Sequence, residues 1–251
     1  MRVLPERTVL PTEILVRTHA PPGGKYTTFR NCCRWDFGFT CALCFLHEAD
    51  LAEEGAEGTG LLWIQHVAAQ ATHRDKADDY TNCLFSCRYC NNGRRSIPQL
   101  DPDTGAVLLD PTAIAWGSVF DIEPTGTLSE RDGADRNPVY TRRTYSLDDP
   151  RKAKLRTRRA KWFAELRKCE DDVIAVVPGL LAMAETVQDL AEKETLERAA
   201  AAILEAYELA YAEIERYRAV PADAPSRCRC TSDRTLPKWL ALQAQTLARY
   251  P

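Results

Sequence analysis

Two Cys-x-x-Cys pairs, Cys41/Cys44 and Cys87/Cys90, bracket a stretch that contains His66 and Asn82, and Asn91 follows directly after the second pair. Four thiols in two pairs suit a tetrahedral zinc ion, because each pair supplies two adjacent corners and closing it costs little chain entropy. The 42 residues between Cys44 and Cys87 leave room for two knuckles folding onto one ion, with a two-stranded excursion between them. Four thiolates leave no open coordination position, so this zinc reads as structural and any catalysis must come from its neighbours. A histidine, an amide and an asparagine held on such a clip are the components of a small metal-assisted active site.

The elements that must position these residues are short. GLLWIQH reads as a buried strand ending on His66, entered from the acidic, glycine-rich segment 52–60. The second pair opens CRYCNNGRRS, read as a short helix carrying Arg94 and Arg95 and stopped by Pro98. Residues 1–30, with four prolines and Gly23-Gly24, read as an extended arm. Turn signals at Asp103-Thr104-Gly105 and Thr125-Gly126 predict strands or hairpins over 99–145. Helical signals then take over. Asp149-Pro150 is an N-cap and first-turn pair, and Leu155, Trp162, Phe163 and Leu166 recur at helical spacing opposite a run of cations. Further helices are expected over about 179–192, 193–217 and around Leu236, Trp239, Leu240 and Leu247. The domain reading is an arm (1–30), a cysteine-clipped core with following hairpins (31–145) and a helical region (146–251), of α+β class.

Composition sets the outer bounds. The chain has 251 residues, 45% of them hydrophobic and 27% charged, an ordinary globular balance. No apolar run reaches the roughly 18–20 residues that cross a bilayer, and the N-terminus has prolines and acids where a signal peptide has a continuous apolar segment. The expected location is the cytoplasm, with no membrane partner. Ten cysteines there point to metal ligands more than to disulfides. A second zinc assembled from Cys32, Cys33, Cys228 and Cys230 is conceivable, although adjacent cysteines are awkward chelators. Cys83 and Cys169 read as small buried residues, His19 as a solvated residue of the arm, and His47 as surplus to a four-thiol site. Net charge is −3, yet residues 151–168 carry nine cations and one acid, leaving the rest of the chain at about −11. Such a stripe is compatible with nucleic acid docked on one face.

The order CALC, a strand ending in Gln65-His66, then Tyr80-Thr81-Asn82, then CRYCN resembles the zinc-containing HNH endonuclease family. The lead-in FRNCCRWDFGFTCALC and the downstream VLLDPT, AWGSVFDIEPTGTL and YTRRTYSLDDPRKAKLRTRR are similar to a bacterial subgroup of it, so the likeness covers roughly residues 26–160. It implies a ββα-metal core held by zinc on Cys41, Cys44, Cys87 and Cys90. His66 would be the general base toward the attacking water, a task suited to a neutral imidazole near pH 7. Asn82 would brace the His66 loop, and Asn91 would bind a catalytic magnesium or manganese ion. Arg94, Arg95, Arg156, Arg158 and Arg159 would contact nucleic-acid phosphates. The implied activity is hydrolysis of DNA phosphodiesters, and the implied setting is an anti-phage defence effector beside an ATPase or sensor subunit.

One departure matters. The family usually carries Asp or Glu before the histidine as a metal ligand, and here that position is Gln65, whose neutral oxygen removes a full charge from the ion's inner sphere. His73, Asp75 or Asp79 could supply the missing ligand, or the ion could arrive with the phosphate. The remaining reading is a catalytically degenerate, zinc-stabilised nucleic-acid-binding or scaffold protein.

Overall fold

Two short antiparallel strand pairs set among short helices are followed by two long helices, a mixed α+β architecture. The computed structural model describes residues 9–52, 62–94, 97–133, 135–215, 217 and 230. The chain divides into two units, Met1–Thr157 with Ala219–Pro251, and Arg158–Arg218.

In the first unit, a single turn over Tyr26–Phe29 leads into α1 (Arg30–Asp36), whose Cys32, Cys33, Trp35 and Asp36 are buried. The chain then reverses through left-handed backbone at Gly38 and Phe39, and again at Phe45. A non-glycine residue held there costs on the order of 1–3 kcal/mol and persists only when its surroundings over-determine it. Phe39 is fully buried with the Arg34 guanidinium over its ring, and its N–H donates to the Arg34 carbonyl. This strained reversal shapes the first cysteine knuckle and leads into α2 (Glu48–Ala52).

Next come β1 (Leu62–His66) and β2 (Cys83–Cys87), paired antiparallel with Leu62 opposite Cys87 and His66 opposite Cys83. Every residue of β2 is buried. Helix α3 (Arg88–Arg94) follows without a linker and packs on both strands. Its other side meets a later helix, α5 (Arg136–Tyr145), at Gly93, where an added Cβ would lie 2.6 Å from the Thr144 carbonyl oxygen. Only glycine allows that approach.

Helix α4 (Trp116–Val119) opens a small hairpin, β3 (Phe120–Ile122) with β4 (Leu128–Glu130). Its turn contains Gly126 at φ 80°, as the Thr125-Gly126 signal suggests. The turn at 103–105 closes only a single bridge, Leu100 with Val107. The expectation of strands throughout 99–145 fails at its end, because α5 (Arg136–Tyr145) is a helix. Asp135 caps it, its carboxylate accepting from the Asn137 N–H, and that local bond outweighs the turn-like look of the preceding residues.

The segment before α1 is irregular but not a free arm. Leu10 and Leu15 are buried, and Leu15 N–H donates to Pro111 O while Gly117 N–H donates to Pro11 O.

Helix α6 (Pro150–Thr186) starts where Asp149-Pro150 predicts, with the Asp149 carboxylate accepting from the Arg151 N–H. It runs through Pro178 and Gly179 to Thr186, so the separate helix expected from about 179 is the end of α6. In the second unit it is followed by α7 (Leu190–Glu215), with Phe163 and Trp162 against Tyr217 and the Tyr207 hydroxyl donating to Glu170. The helix expected around residues 236–247 lies outside the described residues. Among the described residues no helix is long and apolar enough to cross a membrane.

Candidate metal centre and active site

The four cysteines of the two pairs meet in the core. All are fully buried, their sulfurs lie within 4.8 Å of one another, and no described cysteine is in a disulfide. Cys41 and Cys44 sit on the knuckle, which the Cys41 N–H closes onto Leu46 O and the Ala42 N–H ties to Phe85 O of β2. Cys87 ends β2, and Cys90 follows three residues later on the same face of α3. The Cys44 and Cys87 sulfurs are 3.6 Å apart. A tetrahedral ion with sulfur ligands at about 2.3 Å has an S–S edge of about 3.8 Å, so the cluster has the dimensions of a zinc-type site.

Charge in this cluster is poised for a cation. Burial pushes the Cys87 and Cys90 thiols well above their ordinary range, and hydrogen bonds with Cys41 and Cys44 push the same way. Burial acts upward on Cys44 too, but hydrogen bonds from Cys41, Cys87 and Cys90 and the charge of Lys152 outweigh it and bring the thiol well below that range. Four thiolates so close together cannot all ionise without a metal.

Two cations from the start of α6 back the cluster, and the sequence did not single out the first. Lys152 is fully buried, with its ammonium 3.4 Å from the Cys90 sulfur and donating to the carbonyls of Tyr145 and Ser146. Burial alone would depress its pKa, but the four cysteines outweigh this and raise it. Arg156, one turn on, donates from Nε and Nη2 to Cys44 O at 3.1 Å and from Nη1 to Gly126 O at 2.7 Å. It therefore pins the first knuckle to the β3–β4 turn.

This placement corrects the phosphate-contact expectation for several arginines. Arg156 spends its donors on backbone carbonyls and is 3% exposed, and Arg159 is fully buried. Arg94 is also interior, with its guanidinium 3.4 Å from Gln99 Oε1. Arg158 is half-buried over the Trp162 ring, and Arg95 lies outside the described residues. Two other cations, Arg88 and Arg151, each lie 4.8 Å over the Tyr89 ring, within the second pair. Arg88 and Tyr89 are the two middle residues of the second Cys-x-x-Cys, positions the knuckle turns away from its ion, and that was the available signal.

His66 lies at the far end of β1 from the cluster, about 13 Å along the strand at roughly 3.3 Å per residue. Its Nε2 is 2.8 Å from the Ala77 carbonyl oxygen. A carbonyl only accepts, so Nε2 carries the hydrogen, and in the neutral form of the ring the lone pair is on Nδ1. The Tyr26 ring meets the imidazole edge-on at 4.8 Å, and the Tyr26 N–H is anchored on Asp78. Tyr26 is a neighbour that sequence reasoning missed, since nothing in spacing joins residue 26 to residue 66.

Asn82 spans the loop after His66. Its Oδ1 accepts from the Ala68 N–H at 2.7 Å, and its Nδ2 donates to Ala68 O and Lys76 O. Asn91 is half-buried on α3, directly after Cys90. Gln65 is 3% exposed, and neither its Oε1 nor its Nε2 has a hydrogen-bond partner. An unsatisfied buried amide costs about 1–3 kcal/mol, so its oxygen is available to a hard cation and the fold does not consume it. Two of the alternative ligands have local partners. The Asp79 carboxylate is engaged with Thr81, the His73 ring with Thr72, and no group of three or more His, Cys, Asp or Glu among the described residues includes His66.

No protein-family model matches the chain, and comparisons with curated proteins and with solved structures find no match either.

Proposed function

We propose that this chain is a metal-dependent HNH-type endonuclease that hydrolyses phosphodiester bonds in DNA, with zinc on Cys41, Cys44, Cys87 and Cys90 as its structural clip. The carrying observation is the 2.8 Å contact between His66 Nε2 and the Ala77 carbonyl oxygen. With Nε2–H committed to Ala77 O, Nδ1 is the basic atom and can take the proton of an attacking water. Asn82 holds the loop that contains Ala77, and so keeps that carbonyl in place. The strand–strand–helix order, hung at one end on the thiol cluster, supports the same reading.

A magnesium or manganese ion held by Gln65 and Asn91 would polarise the phosphate and stabilise the departing oxygen. Arg88 and Arg151, both over the Tyr89 ring of the second pair, would contact the nucleic-acid backbone. A role as the effector of an anti-phage system, working with an ATPase or sensor subunit, rests on the family resemblance alone.

Purified protein incubated with plasmid DNA and magnesium, manganese or neither, alongside His66→Ala, tests the enzyme reading. Nicking that requires the ion and disappears in the variant supports it. One observation favours a second reading: the only polar oxygen offered next to His66 in the strand is the neutral amide of Gln65. A chain that binds DNA but leaves it intact under all these conditions is the zinc-stabilised, catalytically degenerate binding protein.

A further inference from the structure

A second cluster of metal-ligand side chains lies apart from the four-thiol site, in residues the proposed nuclease does not use. The donor atoms of His19, Cys32 and Cys230 lie within 4.8 Å of one another. His19 Nδ1 is 2.8 Å from the Cys230 sulfur, and the Cys32 and Cys230 sulfurs are 3.7 Å apart. The sulfur pair is far from the roughly 2.05 Å of a disulfide, and close to the edge of about 3.8 Å expected for two thiolates on one zinc. A nitrogen and a sulfur on the same ion sit about 3.5 Å apart, so the imidazole moves outward by about 0.7 Å to share it.

The three residues come from remote parts of the chain, and two of them are held rigidly. Cys32 is fully buried on α1. Asp36, one turn later on the same face of α1, accepts from the Thr18 N–H and hydroxyl at 2.8 Å and from the His19 N–H at 3.1 Å. That carboxylate lays the Thr18-His19 strap across the helix face that Cys32 shares. The reading of His19 as a solvated arm residue is therefore corrected: it is 4% exposed. Cys33 does not join the cluster, because its neighbour position on a helix points about 100° away from Cys32. The ligand set is thus not the four-cysteine one that Cys32-Cys33 and Cys228-x-Cys230 suggest in sequence, and Cys228 lies outside the described residues.

We infer that His19, Cys32 and Cys230 form a second zinc site, which fastens the segment before α1 and the Cys230 segment to α1. Two thiolates and an imidazole select a thiophilic ion over magnesium or calcium. Among the described residues three side chains converge, the number an open zinc site carries, and a water molecule would complete the shell. The clip also reaches toward His66, since Asp36 accepts from the Tyr80 hydroxyl and Tyr80 begins the turn that ends at Asn82. None of this depends on the chain being a nuclease.

The test is metal analysis of the full chain, purified under reducing conditions, beside Cys230→Ser. Cys230 is half-buried, so its oxygen analogue is tolerated by the core. The expected result is a loss of one zinc equivalent in the variant with its circular dichroism unchanged. Because the comparison is a difference, it reads the second site whether or not the four-thiol site holds zinc. Equal metal content in the two proteins overturns the inference, as does a Cys32–Cys230 disulfide found by mass in the wild type. If the variant fails to fold, X-ray absorption at the zinc edge of the wild type decides. Both sites filled give one nitrogen for six sulfurs, the second alone gives one for two, and an all-sulfur shell refutes the site.

Discussion

Lys152→Met removes the ammonium from behind the thiol cluster while keeping the length and apolar body of the side chain. At 3.4 Å from the Cys90 sulfur, its attraction to a single thiolate is about 5 kcal/mol at an effective dielectric of about 20. Burying the ammonium cancels much of this, and the two carbonyls it bonds return part of the desolvation cost. The net effect should match that of other residues bonded to metal ligands, about 10- to 100-fold in metal affinity, or about 1.4–2.7 kcal/mol. Zinc affinity measured by competition with a chromophoric chelator is the assay, with thermal melting as a companion. The sign with pH is also fixed. The folded-state pKa of Lys152 is raised, so its contribution is complete below the ordinary lysine value of about 10.4 and fades only as pH climbs through the raised one. The gap between wild type and variant should then stay constant from about pH 6 to 9, even as both affinities change with thiol ionisation. Equal chelator competition by the two proteins would refute the argument that the cluster needs this cation.

Asn82→Ala deletes three hydrogen bonds in the His66 loop and should lower stability by about 2–4 kcal/mol, read as a lower urea midpoint; an unchanged midpoint means the loop is held by something else. Gly93→Ala gains about 1 kcal/mol of helix propensity but drives a methyl to 2.6 Å from the Thr144 carbonyl, a clash with backbone worth about 1–3 kcal/mol, so the melting temperature should fall. A rise would show that α3 and α5 separate easily. Hydrogen bonds from Arg151 hold the Asp149 carboxyl below the ordinary carboxylate range, so its share of stability is present above about pH 3.9 and is lost as pH falls further. Asp149→Asn keeps the cap and should flatten this acid limb in denaturation curves taken from pH 5 to about 2, whereas Asp149→Ala should cost about 1 kcal/mol at neutral pH as well.

What the sequence made legible was chemistry with rigid spacing rules. Two Cys-x-x-Cys pairs do bring four thiols to one point, because a knuckle and a helix turn each have few geometries that place residues three apart on one side. Asp149-Pro150 marks the start of α6 for the same reason, since cap and first turn are local. Long-range placement was not legible. His19 reaches Cys230 only because Asp36 folds a strap over α1, and a pairing 211 residues apart leaves no pattern in either segment. Helix α5 was hidden by neighbouring turn residues, and α6 outlasts Pro178 although a proline normally marks a break.

The basic run of α6 shows most clearly why composition misled. Lys152, Arg156 and Arg159 fall at i, i+4 and i+7, which is one face of the helix, and all three are buried. A cation on a buried face is excluded by a hydropathy argument unless something inside needs it. Here something does. A zinc ion with four thiolates would carry a net charge of −2, and Lys152 at the Cys90 sulfur and Arg156 at the Cys44 carbonyl bring two positive charges against it. The stripe that reads as a phosphate-binding surface is therefore divided. Lys152 and Arg156 on its inward face back the thiol cluster, and Arg151, over the Tyr89 ring, belongs to the outward half. Without Lys152 and Arg156, a zinc-filled cluster would be a buried dianion with no compensating charge from α6, and burial of uncompensated charge is costly.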